Sequence, residues 1–106
     1  MSDIRLARKS LARRILEGEG KASRSERRAA FDNSGLAEPI SSLVDKVARH
    51  AYRITEEDFA AVRASSLSED QIFEVVVCSA IGEATRQYDI AFAALEAALG
   101  NETRKD

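Results

Sequence analysis

The sequence predicts an all-α protein of about five helices, of which the last is long and apolar. Its 106 residues include one Pro and five Gly, and 44% of them are hydrophobic, with Ala prominent. This composition favours helices over strands. Apolar residues also recur at helical spacing in several segments, which begin at capping patterns or end at glycines. At this length we expect one domain, residues 1–106.

Two helices are predicted in the basic N-terminal region, residues 1–35. Residues 4–17 place apolar side chains on one face and arginines on the other, and two glycines follow directly. Ser23 and Glu26 then form a capping-box pattern, which predicts the start of a short second helix. We expect that helix to stop before Gly35, because glycine favours a turn.

The third and fourth helices follow in the middle of the chain. Pro39 suits a first helical turn, where its missing N–H is not needed. The apolar residues between positions 40 and 51 keep the i, i+3, i+4 pattern throughout. Thr55 provides a capping hydroxyl before three acidic residues, which predicts a fourth helix that ends near Ala64.

The fifth helix is predicted to begin at a capping box at Ser68 and to run to Leu99. If it is continuous, it spans about 47 Å at ~1.5 Å per residue. Residues 75–77 are three β-prone valines and Gly82 weakens a helix, so a strand or a break there is the alternative. We expect the polar tail, residues 101–106, to be frayed.

Charge is distributed unevenly along the chain. Residues 1–28 hold nine basic and four acidic residues, whereas residues 29–106 carry a net charge of -7. A basic helix face is one way to bind nucleic acid, but this segment has no aromatic residue for stacking on bases. We therefore favour docking on the acidic remainder of the same or a neighbouring subunit, with nucleic-acid binding as a minor alternative. The face would comprise Arg5, Arg8, Lys9, Arg13 and Arg14.

Neither a membrane-spanning nor a secreted protein is expected. The longest run without a charged residue, residues 75–82, is far shorter than the ~20 residues that cross a bilayer, so no membrane partner is predicted. No apolar segment typical of a secretory signal follows the N-terminus. Because the lone Cys78 has no internal disulfide partner, a reducing, cytoplasmic location is predicted.

Candidate catalytic residues are few. Cys78 and His50 are the sole thiol and imidazole, a pair that can form an activated nucleophile. Cys78 nevertheless lies in the most apolar stretch, which favours a buried cysteine, and His50 lies where it can cap a helix or border an interface. Glu83 and Arg86 are spaced for an intrahelical ion pair. No metal-ligand spacing or phosphate-binding loop is present, so we predict no metal and no cofactor.

Residues 44–64 and 67–82 resemble the later part of the carboxymuconolactone decarboxylase and AhpD-like alkylhydroperoxidase family. An acid-rich cap begins at Thr55, and a turn with the family's Ser-acid-x-x-Ile-x-Glu pattern follows, with Ser66 where the family usually has Gly. Arg86 also falls where the long family helix commonly has Arg. The resemblance implies an AhpD-like helical core over residues 38–99, after a divergent N-terminal region, and a homo-oligomer, either a trimer or a hexamer.

The redox motif of that family is absent. Peroxide-reducing members carry E-x-x-C-x-x-C-x-x-x-H upstream of the matched region, and their two thiols must be close together. That region here contains no Cys or His, and neither Cys78 nor His50 matches the motif. We therefore predict a non-redox oligomeric protein with a structural or interaction role. The alternative is a divergent enzyme, decarboxylase-like or peroxidase-related, with a pocket near His50, Glu83 and Arg86.

Overall fold

A computed structural model describes the backbone of residues 2–104 and the side chains of residues 4–100. Within this part of the chain every regular element is helical, as predicted. The elements are α1 (Ser2–Glu17), α2 (Arg24–Asp32), α3 (Ile40–Arg49), a 3₁₀ turn (Ala51–Arg53), α4 (Glu56–Ala64) and α5 (Glu69–Arg104).

The helix starts follow local hydrogen bonding that the sequence already shows. Both predicted capping boxes are present, and the predicted Thr55 cap is a capping box as well. In each, the hydroxyl oxygen accepts the N–H three residues later while that residue's side chain accepts the N–H of the cap. The pairs are Ser23 with Glu26, Thr55 with Asp58, and Ser68 with Gln71. Asp58 of the second pair has a further contact, in which Lys46 of α3 donates to its carboxylate at 2.9 Å. This hydrogen bond lowers the pKa of Asp58.

The last helix is continuous over 36 residues. The three valines at 75–77 and Gly82 all lie inside it, so the strand and the break are both ruled out. It also continues past Gly100 to Arg104, further than predicted, because one glycine costs a helix only ~1 kcal/mol. Of the predicted frayed tail, residues 105 and 106 lie outside the described residues. None of the described helices is long and apolar enough to cross a membrane.

The core lies where α2, α3 and α4 pack on one side of α5. One buried cluster lies between α2, α3 and α5, and a second joins α3 and α4 to the start of α5. The first cluster contains Ala22, Ala30, Val44, Val75 and Cys78, and the second contains Leu43, Val62 and Ile72.

The molecule is elongated, because α5 extends well beyond these three helices. Its principal extents are 61 × 29 × 20 Å, and its radius of gyration is 16.8 Å. A compact domain of ~100 residues has a radius of gyration of about 13 Å. The extension is a two-helix arm in which α1 runs antiparallel to the C-terminal half of α5, so that Arg5 lies beside Glu96 and Arg8 beside Asp89.

Close approach of α2 to α5 depends on Gly82. This residue is buried, and a Cβ atom added to it would overlap the carbonyl oxygen of Phe31 near the end of α2. The same carbonyl accepts a hydrogen bond from the guanidinium of Arg86, one turn further along α5. Gly82 is therefore a contact point between two helices and not a weak point in one.

We expect Gly82→Ala to destabilise the protein by about 2–4 kcal/mol, because α2 must move away from α5. Alanine's better helix propensity, worth ~1 kcal/mol, is too small to offset this loss. Gly100→Ala is the matched control, since Gly100 is also helical and has no atom within 4 Å of an added Cβ. We expect the control to be unchanged or up to ~1 kcal/mol more stable. Urea unfolding at one protein concentration measures both, and a Gly82→Ala variant as stable as the wild type would contradict this account.

Candidate functional site

Cys78 is a core residue. It is 1% exposed, and its Sγ lies 3.7 Å from the carbonyl oxygen of Ile15 at the end of α1. Burial raises the pKa of the thiol, so it is protonated at neutral pH. The prediction of a buried cysteine is confirmed, and a protonated, enclosed thiol is a poor nucleophile.

Glu74, one turn before Cys78, holds the loop between α1 and α2. Its carboxylate accepts the backbone N–H groups of Lys21 at 2.8 Å and Ala22 at 2.6 Å. Burial by itself raises the pKa of Glu74, but these two N–H donors and the nearby cations bring it below its ordinary value. A Cβ on Gly20 would lie 2.5 Å from Oε1 of the same carboxylate, so a side chain at position 20 would require Glu74 to shift.

Arg27 is buried in spite of its place in the basic segment. It is 5% exposed, and its Nη1 donates to the carbonyl oxygens of Ile15 at 3.1 Å and Gly18 at 2.7 Å, which end α1. Its Nε has no hydrogen-bond partner in the described structure. Arg27 therefore caps the C-terminus of α1 from α2, where a cation also complements the helix dipole.

Glu83 and Arg86 form the predicted ion pair, with 2.9 Å between Glu83 Oε1 and Arg86 Nη2. Gln87 donates to the second oxygen of Glu83, and these contacts lower the pKa of Glu83. Arg86 also donates to the Phe31 carbonyl oxygen. Arg86 thus holds α2 to α5, and Glu83 pairs with its guanidinium from the same helix.

Cys78 does not share a site with the other three candidate residues. Cys78 and Glu83 are five residues apart on α5, so their side chains leave the helix ~140° apart. His50 ends α3, where its ring meets the edge of Tyr52 with centroids 6.0 Å apart. The cavity beside Cys78, of about 200 Å³, is lined by Glu74 and Arg27 among others but not by His50, Glu83 or Arg86.

The basic helix docks on α5 of the same subunit. The guanidinium of Arg8 lies 3.7 Å from the ring centroid of Tyr88 and 2.8 Å from the Asp89 carboxylate. One turn earlier in α1, Arg5 lies 4.2 Å from the ring centroid of Phe92 and pairs with Glu96. Two of the five cations of the predicted nucleic-acid face are therefore already paired. No aromatic side chain of α1 itself is involved, because the rings come from α5.

An apolar stripe on α5 is the largest feature that sequence reasoning did not single out. Between residues 73 and 98 of α5, a length of about 38 Å, all the residues that project within one 60° arc around the helix axis are apolar. Phe73 is 67% exposed and Leu95 is 50% exposed, and of the stripe only Val77 is half-buried. We call this set the α5 stripe: Phe73, Val77, Ala80, Ala84, Ala91, Leu95 and Ala98.

The described residues contain no group of three or more His, Cys, Asp or Glu side chains that could hold a metal ion. Comparison of the chain with family models, with curated proteins and with solved structures found no match.

We expect Glu74→Gln to destabilise the protein by about 1–3 kcal/mol at pH 7, because an amide replaces a carboxylate that accepts two N–H groups. The folded pKa of Glu74 lies below the ordinary value of 4.5, so its contribution is complete above that pH and is lost as the pH falls through the folded pKa. The difference between wild type and variant should therefore shrink towards pH 3. Urea unfolding at pH 7, 5 and 3 measures it.

Glu96→Gln is the control for that series. Its carboxylate is exposed and pairs with Arg5 at 3.5 Å. Exposed ion pairs of this kind contribute less than ~1 kcal/mol to the free energy of unfolding. A Glu74→Gln variant with the same small loss as Glu96→Gln would show that Glu74 does not hold the loop.

Proposed function

We propose that this chain is a non-redox, AhpD-like helical protein that acts by self-association and has a structural or interaction role. The observation that carries the proposal is the α5 stripe, an apolar surface along most of the longest helix and facing away from the core. Exposed apolar surfaces of this extent on a small protein mark places where another molecule binds.

The surface area of the chain supports the same proposal. Its solvent-accessible area is 7340 Å². A compact monomer of its mass, 11.6 kDa, exposes about 5,800 Å². The excess of about 1,500 Å² on one chain is larger than the roughly 800 Å² that each partner buries in a standard protein–protein interface.

The structural roles of the candidate catalytic residues favour interaction over catalysis. Arg86 holds α2 to α5 and pairs with Glu83 on the same helix, Cys78 packs in the core, and His50 ends α3. An active site needs such groups close together around a substrate. The resemblance to the AhpD-like family points the same way, since it implies an oligomer whose dithiol motif is missing here.

We expect a molar mass of at least twice 11.6 kDa for the wild type at micromolar concentration. Leu95→Glu should raise the dissociation constant by at least about tenfold, because it introduces a charge into an apolar interface. Light scattering over a concentration series measures both values, and circular dichroism checks that the variants remain helical.

Ile90→Glu is the matched control. Ile90 is 72% exposed on the same helix but lies about 110° from the centre of the α5 stripe. Its substitution should leave the molar mass unchanged. A monomeric wild type at micromolar concentration would overturn the proposed function.

A further inference from the structure

We propose that the occupant of the α5 stripe is the α5 stripe of a second copy, packed antiparallel about a two-fold axis between Ala84 and Gln87. This inference rests on the proposed self-association and specifies its partner, orientation and register. It comes from the order of large and small residues along α5.

The stripe has the spacing of a coiled-coil seam. When Gln87 and Ala94 at its edge are counted and Leu95 is taken as a flanking position beside Ala94, successive positions are separated alternately by four and three residues. That alternation over about 38 Å is the heptad pattern by which helices pack together. The positions are 73, 77, 80, 84, 87, 91, 94 and 98.

The seam is self-complementary when reversed. About an axis between Ala84 and Gln87, Phe73 of one copy faces Ala98 of the other, and Ala80 faces Ala91. Val77 likewise faces Ala94, and Gln87 faces Ala84, so a larger residue meets an alanine at three of the four pairs. The fourth pair, Ala80 with Ala91, is small on both sides and lets the helices approach closely. In a parallel pair Phe73 would face Phe73 and hold the helices apart, while the alanines between positions 80 and 98 would leave voids. Antiparallel packing is therefore the arrangement that fills the interface.

The α1 helix widens this surface. Arg14 and Ile15 of α1 line the same cavity as Phe73 and Val77, so this side of α1 and the α5 stripe are on one face of the arm. Two exposed apolar residues of α1 lie on that side at helical spacing from Ile15: Ile4, 50% exposed, and Leu11, 44% exposed.

The area of this face suits a dimer. With helices about 10 Å wide, the α5 stripe presents roughly 38 × 10 Å, and α1, which has 16 residues, adds at most roughly 24 × 10 Å. Together they present about 620 Å², within the range of about 600–1,000 Å² per partner of a standard interface. A standard interface buries about 800 Å² on each partner. In this packing the C-terminal half of each α5 lies against the N-terminal half of the other, and the interface is made mostly of positions that are exposed in the single chain.

Disulfide trapping tests the orientation. Ala80→Cys and Ala91→Cys are made separately in a Cys78→Ala background, and one variant carries a mass tag. In the antiparallel dimer these two positions face one another, whereas like positions lie about 16 Å apart, too far for a disulfide. We expect the mixed sample to form a cross-linked heterodimer at least about ten times faster than either variant alone. Ile90→Cys in the same background measures the rate of random collision.

Each other outcome overturns the inference in a recognisable way. Rapid cross-linking of each variant alone, with none between the two, would show a parallel pair. A doubled molar mass without cross-linking at either position would place the interface elsewhere and leave the proposed self-association intact. A wild type that is monomeric in light scattering would refute the proposed function itself. Circular dichroism of each variant confirms that it remains folded.

Discussion

The fold depends on polar side chains of α5 that bind the backbone of the other helices. Glu74 accepts the N–H groups of Lys21 and Ala22, and Arg86 donates to a carbonyl oxygen at the end of α2. Ser79, fully buried, donates to the carbonyl oxygen of Val44 in α3 at 3.0 Å. A buried backbone group left without such a partner is costly, so each contact fixes the position of a helix along α5. Of the residues that first suggested catalysis, Arg86 is explained by this role.

Local features of the fold could be predicted from the sequence, and the long-range partners could not. The capping boxes at Ser23, Thr55 and Ser68 involve groups three residues apart, so their residue types alone specify the helix starts. Arg27 is a residue whose long-range partners could not be predicted. Arginine in a basic segment suggests a solvated face, and only the meeting of α1 and α2 reveals the carbonyl groups that bind it. Gly82 likewise gains its role from Phe31, 51 positions earlier in the chain.

The same distinction applies to the candidate site. The burial of Cys78 follows from its apolar neighbours, and the ion pair of Glu83 with Arg86 follows from their spacing. Helical geometry also predicts that Cys78 and Glu83 leave α5 in different directions. The partners of Arg8 were not predictable in detail. Charge balance indicated an acidic surface, but the Tyr88 ring beneath its guanidinium required the antiparallel arrangement of α1 and α5.

The apolar residues of α5 belong to two surfaces with different partners. Ile72, Val75 and Gly82 face the helices of the same chain, whereas Phe73 and Leu95 face outwards. A helix that is apolar on more than one side needs cover on more than one side. The chain has only α1 to place along the extended half of α5, and that helix covers the edge bearing Tyr88 and Phe92. In the proposed self-association, cover for the α5 stripe comes from a second copy, whose reversed seam is the complementary surface.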